Sequence, residues 1–120
     1  MTHQQLLQFG IYQSACFESQ AMCLCLVNHV EYRYHLRPAA SAAGYLQWHP
    51  NFALIQTLGV RTLNLTINLS GKEAGYQGIG IDDLFRPPWK GLTRLRFTSA
   101  GRIAQLIAAA DRAYSIKHRP

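Results

Sequence analysis

Acidic side chains are scarce in this sequence. Six Asp and Glu stand against twelve Lys and Arg, and charged residues make up only 15% of the chain, where an average soluble domain has about 25%. With hydrophobic residues at 48%, that balance excludes intrinsic disorder, which needs high charge and little apolar content. Cysteine is also sparse: Cys16, Cys23 and Cys25 are an odd count, which argues against a disulfide framework. No hydrophobic run approaches the ~18 residues of a membrane span, so no membrane partner is expected. Met1-Thr2-His3-Gln4-Gln5 puts no charge ahead of an apolar core, so no secretory leader is expected either. These absences predict a cytoplasmic protein with reduced thiols. Its 120 residues suit one domain, 1–120, long enough to bury a real core.

What charge there is lies unevenly. Through residue 85, Arg33, Arg37, Arg61 and Lys72 oppose Glu18, Glu31, Glu73, Asp82 and Asp83. From Arg86 onward, Lys90, Arg94, Arg96, Arg102, Arg112, Lys117 and Arg119 join it against Asp111 alone. The excess of +6 therefore belongs to the C-terminal third, an asymmetry that points to an anionic partner.

Thr2 and Gln5 have the spacing of a capping box, and Leu6, Leu7, Tyr12, Ala15 and Cys16 recur at helical spacing, predicting a first helix through Glu18. From Met22 the period reads as two. Met22, Leu24, Leu26, Val30, Tyr32, Tyr34 and Leu36 share one parity, predicting two strands, divided near Asn28, that end at Arg37-Pro38. Pro50 followed by Phe52, Ile55 and Leu58 predicts a short helix stopped by Gly59. Leu63, Leu65, Ile67 and Leu69 then alternate with Thr62, Asn64, Thr66 and Asn68, a strand with one aliphatic face and one polar face turned to water or a ligand. Glycines at 71, 75, 78 and 80 predict a loop, with a short strand at Tyr76 to Ile81. Leu92 to Thr98 alternates again, and Ser99 caps a last helix whose stripe is Ile103, Leu106, Ile107 and Ala110. The order α-β-β-α-β-β-β-α predicts an α+β domain. Its core is one mainly antiparallel sheet of four to five strands with two or three helices packed on it.

Few patterns carry specific chemistry. Cys23, Cys25 and His29 share a strand parity, but Cys-x-Cys is the wrong separation for a structural zinc turn, and small buried hydrophobes explain the thiols better. The glycine run opens no helix that would hold phosphate. Asp82-Asp83 suits a turn better than a metal pair. No metal, cofactor or catalytic residue is assigned. His35 and His49, with Arg33 or Arg37, could serve a metal-independent ribonuclease only if they met in space.

The most informative constellation is basic. On the predicted strands Arg33, His35 and Arg37 share one face, and Arg94 and Arg96 share another. Gathered on one sheet surface, these five, with Trp89 to stack or anchor, would attract nucleic acid or a nucleoprotein in a salt-dependent way. The sequence thus predicts a non-enzymatic basic binding module. The alternative is a protein-interaction factor or inhibitor, able to self-associate or meet an acidic protein surface, that uses the rigid loop at Arg86, Trp89 and Lys90. A further alternative is a small-molecule pocket lined by Tyr32, Tyr34, Tyr45 and Trp48.

Overall fold

The computed structural model describes residues 1–77, 83–85 and 91–118. Its first turn carries the capping box expected from the sequence: the Gln5 backbone N–H donates to Thr2 Oγ1 at 3.2 Å, and the Thr2 N–H donates to Gln5 Oε1 at 2.8 Å. Helix α1 (His3–Leu6) lasts one turn, and α2 (Gly10–Gln13) follows it. The expected continuous helix is broken where Phe9 takes an extended conformation (φ −91°, ψ 124°).

Helix α3 (Phe17–Tyr34) replaces the two strands expected between Met22 and Arg37. Its buried positions are Ser19, Met22, Cys23, Leu26, Val27 and Val30, spaced by three and four as one face of a 3.6-residue helix requires. His35 ends it in the left-handed region (φ 57°, ψ 37°), a stop that glycine or asparagine usually provides.

Among the described residues six strands form one antiparallel sheet in the order β1-β2-β3-β4-β6-β5. Strands β3 (Ala53–Leu58), β4 (Leu65–Ser70) and β6 (Leu92–Phe97) are its long members; β1 (Ala39–Ala40) and β2 (Leu46–Gln47) extend one edge, and β5 (Asp83–Phe85) the other. The helix expected after Pro50 is therefore strand β3. A bulge between Ile55 and Thr57 adds one residue and returns Leu58 to the core face, which mimics helical spacing in the sequence. Tyr76, expected to begin a strand, closes a 3₁₀ turn (Glu73–Tyr76); the rest of that strand, from residue 78, lies outside the described residues.

Ser99 accepts from the Gly101 N–H at 3.3 Å and leads through a 3₁₀ turn into α4 (Ile103–Lys117). Leu106, Ala109, Ala110 and Ala113 are buried on it. The contact stripe is thus turned toward Ala109 and Ala113 from the expected Ile103 and Ile107, which are half-buried. Alanines let α4 approach β4 closely, and Gly71 shows how closely. At φ +108° the backbone demands glycine, and an added Cβ would lie 2.7 Å from Ile116 Cδ1, a side-chain tip that would have to shift.

Helices α3 and α4 cover the same sheet face, where Leu46, Ile55, Leu65, Ile67, Leu69, Leu95 and Phe97 are buried. The radius of gyration, 13.0 Å, is that of one globule of this length. The fold is a single α+β domain with an antiparallel sheet, as expected. None of the described helices is long and apolar enough to cross a membrane.

Candidate functional site

No described helix lies on the second face of the sheet. Residues that alternate with the aliphatic set point there, and the register brings Gln47, Leu54, Asn68 and Arg94 into one row across β2, β3, β4 and β6. Thr66 and Arg96 are opposite each other in the row toward Phe97. Asn68 links three strands. Its Nδ2 donates to Gln56 Oε1 at 3.0 Å, and its Oδ1 accepts from Arg94 Nε at 2.9 Å.

Asn68 is 1% exposed, and Thr66 and Ser70 are also buried. The polar side of β4, expected to meet water or a ligand, is instead a buried hydrogen-bonded floor. Ser70 Oγ donates to the Asn51 carbonyl at 2.9 Å and Thr66 Oγ1 to Asn64 Oδ1 at 3.1 Å, so these hydroxyls are satisfied internally. Above the floor runs a groove of about 230 Å³ lined by Gln47, Asn51, Ala53, Leu54, Asn68 and Leu92. Arg94 borders it through its bond to Asn68. The groove's accessible lining is mostly apolar, with the amides of Gln47 and Asn51 adding donors and acceptors. Asp83 stands opposite Arg96 in the backbone register of β5 and β6.

The arginines expected to join this surface do not reach it. Arg33, His35 and Arg37 are at the C-terminal end of α3, on the covered side of the sheet. Helical winding, in place of strand alternation, directs them there. Arg37 Nη2 donates to Glu31 Oε1 at 3.1 Å. The Met1 amino group, donating to Glu31 Oε2 at 2.7 Å, and then Arg37 hold the Glu31 carboxyl below its usual range. Arg33 Nε lies 4.0 Å from Asp111 Oδ1, and its guanidinium is 5.7 Å from the Tyr34 ring centre. The five-membered basic surface is therefore two separate groups, one of them offset by acids. Arg86, Trp89 and Lys90 lie outside the described residues.

On the covered side the structure assembles a cluster that sequence reasoning missed. Asp111 Oδ1 accepts from Tyr34 Oη at 2.6 Å and lies 2.8 Å from His29 Nε2. Tyr34 stacks on Tyr114 at 3.7 Å, and Tyr114 on His118 at 3.9 Å, with Phe52 edge-on to both tyrosines. Burial, reinforced by the hydrogen bond the phenol donates to Asp111, pushes the Tyr34 phenol up to about 12. This cluster ties α3 to α4. The signal that could have found it is the four-residue spacing of Tyr114 and His118 on one helix, beside Asp111.

One other expected site falls away. Tyr32 is exposed on α3 whereas Trp48 is fully buried against Phe52, so the four-aromatic pocket does not form. His49 Nε2 lies 3.2 Å from the Gln47 amide and His35 ends α3; no hydrogen bond among the described residues joins the two, and the histidine beside a carboxylate there is His29, next to Asp111. Cys23 is buried and Cys25 exposed. Among the described residues no three His, Cys, Asp or Glu converge to hold a metal. Comparison with family models, curated proteins and solved structures gives no match.

Proposed function

We propose that this chain is a non-enzymatic binding module that contacts nucleic acid through the helix-free face of its sheet. The observation that carries this reading is the hydrogen-bonded row Gln56–Asn68–Arg94 beside the groove edged by Gln47 and Asn51. Asn68 holds the Arg94 guanidinium in one orientation before any ligand arrives, which lowers the ordering cost of a phosphate contact. Gln47 and Asn51 present amides of the kind that pair with edges of unstacked bases. The net charge of +6 supplies long-range attraction to a polyanion. Arg94 and Arg96 are the contact residues in this reading; Arg33, His35 and Arg37 are not. Cys16, Cys23 and Cys25 are all unpaired thiols, which supports a cytoplasmic, reducing setting.

The test is fluorescence anisotropy with a mixed-sequence, single-stranded nucleic-acid pool across a salt series. Binding should weaken as salt rises, by a log–log slope of about −0.7 for each phosphate neutralised on a single strand. No binding at low salt, or an affinity that ignores salt, overturns the reading.

A second reading, protein interaction, rests on a different observation. Phe17 and Tyr32 are 81% and 86% exposed, on one helix and away from the sheet groove.

A further inference from the structure

The exposed positions of α3 are Phe17, Glu18, Ala21, Cys25, Asn28, Tyr32 and Arg33. From Glu18 to Tyr32 their spacing alternates three and four, the period of a seam that faces another helix. A helix face left to solvent normally carries charge throughout. Here the charges sit only at the ends, Glu18 at the start and Arg33, 60% exposed, at the finish. Between them lie a small residue, a thiol, an amide and an aromatic ring. The stripe is about 24 Å long at 1.5 Å per residue.

The ridge has a groove on each flank near its N-terminal half. One is lined by His3, Tyr12, Phe17, Gln20, Ala21 and Leu24. The other is lined by Phe17, Glu18, Ala21, Met22, Cys25, Ala100 and Ile103. Each holds about 230 Å³ and is almost wholly apolar. At the C-terminal end the same ridge carries the projecting ring of Tyr32. A knob at one end and grooves at the other are self-complementary under a two-fold axis, and so are an acid at one end and a base at the other.

We propose that this face binds a second copy of the chain, with α3 packed antiparallel on α3 about a two-fold axis beside Cys25. That arrangement sets Phe17 and Glu18 level with Arg33 and Tyr32 of the second copy, so the Glu18 carboxylate reaches its neighbour's Arg33 and the Phe17 ring packs beside Tyr32. Ala21 meets Asn28, and Cys25 meets its own counterpart. Both charge pairs form at once because the contact is isologous. Ala21 and Cys25, small and central, allow the close approach that ridge-in-groove packing needs. The sheet lies on the far side of α3, so the groove beside Asn68 stays open in both copies. This association goes beyond the nucleic-acid reading and does not depend on it.

Sedimentation across a concentration series, with bis-maleimide crosslinking, tests the proposal on the intact chain. A reversible dimer is expected, and Phe17→Ala and Tyr32→Ala should each weaken it about tenfold, as the loss of an aromatic contact buried in an interface does. Both rings are exposed, so neither change should unfold the monomer. Glu18→Arg and Arg33→Glu should each weaken the dimer, and the two together should restore it. A short crosslinker should trap the dimer through Cys25 and fail with Cys25→Ser. A chain that stays monomeric at the highest soluble concentration overturns the proposal. So does a dimer indifferent to Phe17 and Tyr32, or one in which the double charge reversal gives no recovery.

Discussion

The two faces of the sheet are built from the same strands and hold the molecule together by different physics. On the covered face Leu65, Ile67, Leu69, Leu95 and Phe97 are buried under α3 and α4, and stability there comes from removing apolar surface from water. On the other face β4 is buried just as deeply, but its side chains are Thr66, Asn68 and Ser70. A polar group buried this far is tolerable only because each is hydrogen-bonded. Alternation in β4 therefore marks a change of chemistry between two buried faces and not a boundary between inside and outside. One face is committed to the apolar core; the other is the face we propose for binding.

Substitutions on one strand sharpen that contrast. Ile67→Ala removes a fully buried side chain from the covered face and should cost about 2–5 kcal/mol in a denaturant titration, through lost transfer energy and the cavity left behind. Its neighbour Asn68 should cost less but reveal more. Asn68→Ala removes one partner from Arg94 and one from Gln56, a loss of about 1–3 kcal/mol, and should also weaken nucleic-acid binding. Equal costs at the two positions, with binding untouched, would break the distinction between the faces.

Alkaline pH probes the covered side. Burial raises the phenols of Tyr34, to about 12, and of Tyr76; burial, with Cys23 adding to it, raises that of Tyr12. A raised value favours the neutral phenol in the folded state. Its contribution is whole below the unfolded value of about 10 and is lost as pH climbs toward the folded one. The denaturation midpoint should therefore fall from about pH 10 upward, and fall less in Tyr34→Phe. A midpoint flat through that range contradicts the burial assigned to these rings.

Strands β4 and β6, helix α4 and the Thr2 capping box were legible in the sequence because each carries a single unambiguous period or spacing. Helix α3 was not. Met22, Leu26 and Val30 are four apart, and a spacing of four fits both a strand face and a helix face. The deciding residues are Ser19, Cys23 and Val27, which have the wrong parity for the strand yet are buried. Strand β3 misled for a related reason, since its bulge shifts Leu58 into helical phase with Ile55. These errors carried the site with them. Arg94 and Arg96 were placed correctly because β6 was, while Arg33 and Arg37 followed the helix to the opposite layer and to Glu31 and Asp111. The amide partners of Arg94 were hidden because cross-strand register, which sets Asn68 beside it, is not a property of either strand alone.

The most direct measurement is a paired one: the salt dependence of single-stranded nucleic-acid binding for Arg94→Gln/Arg96→Gln against Arg33→Gln/Arg37→Gln. Both pairs remove the same formal charge. The account predicts that the first pair forfeits most of the affinity and flattens the slope by about 0.7 for each phosphate no longer neutralised, while the second keeps a slope close to that of the unaltered chain. Equal losses from the two pairs would mean that net charge alone governs binding, and the sheet face would have no special part in it.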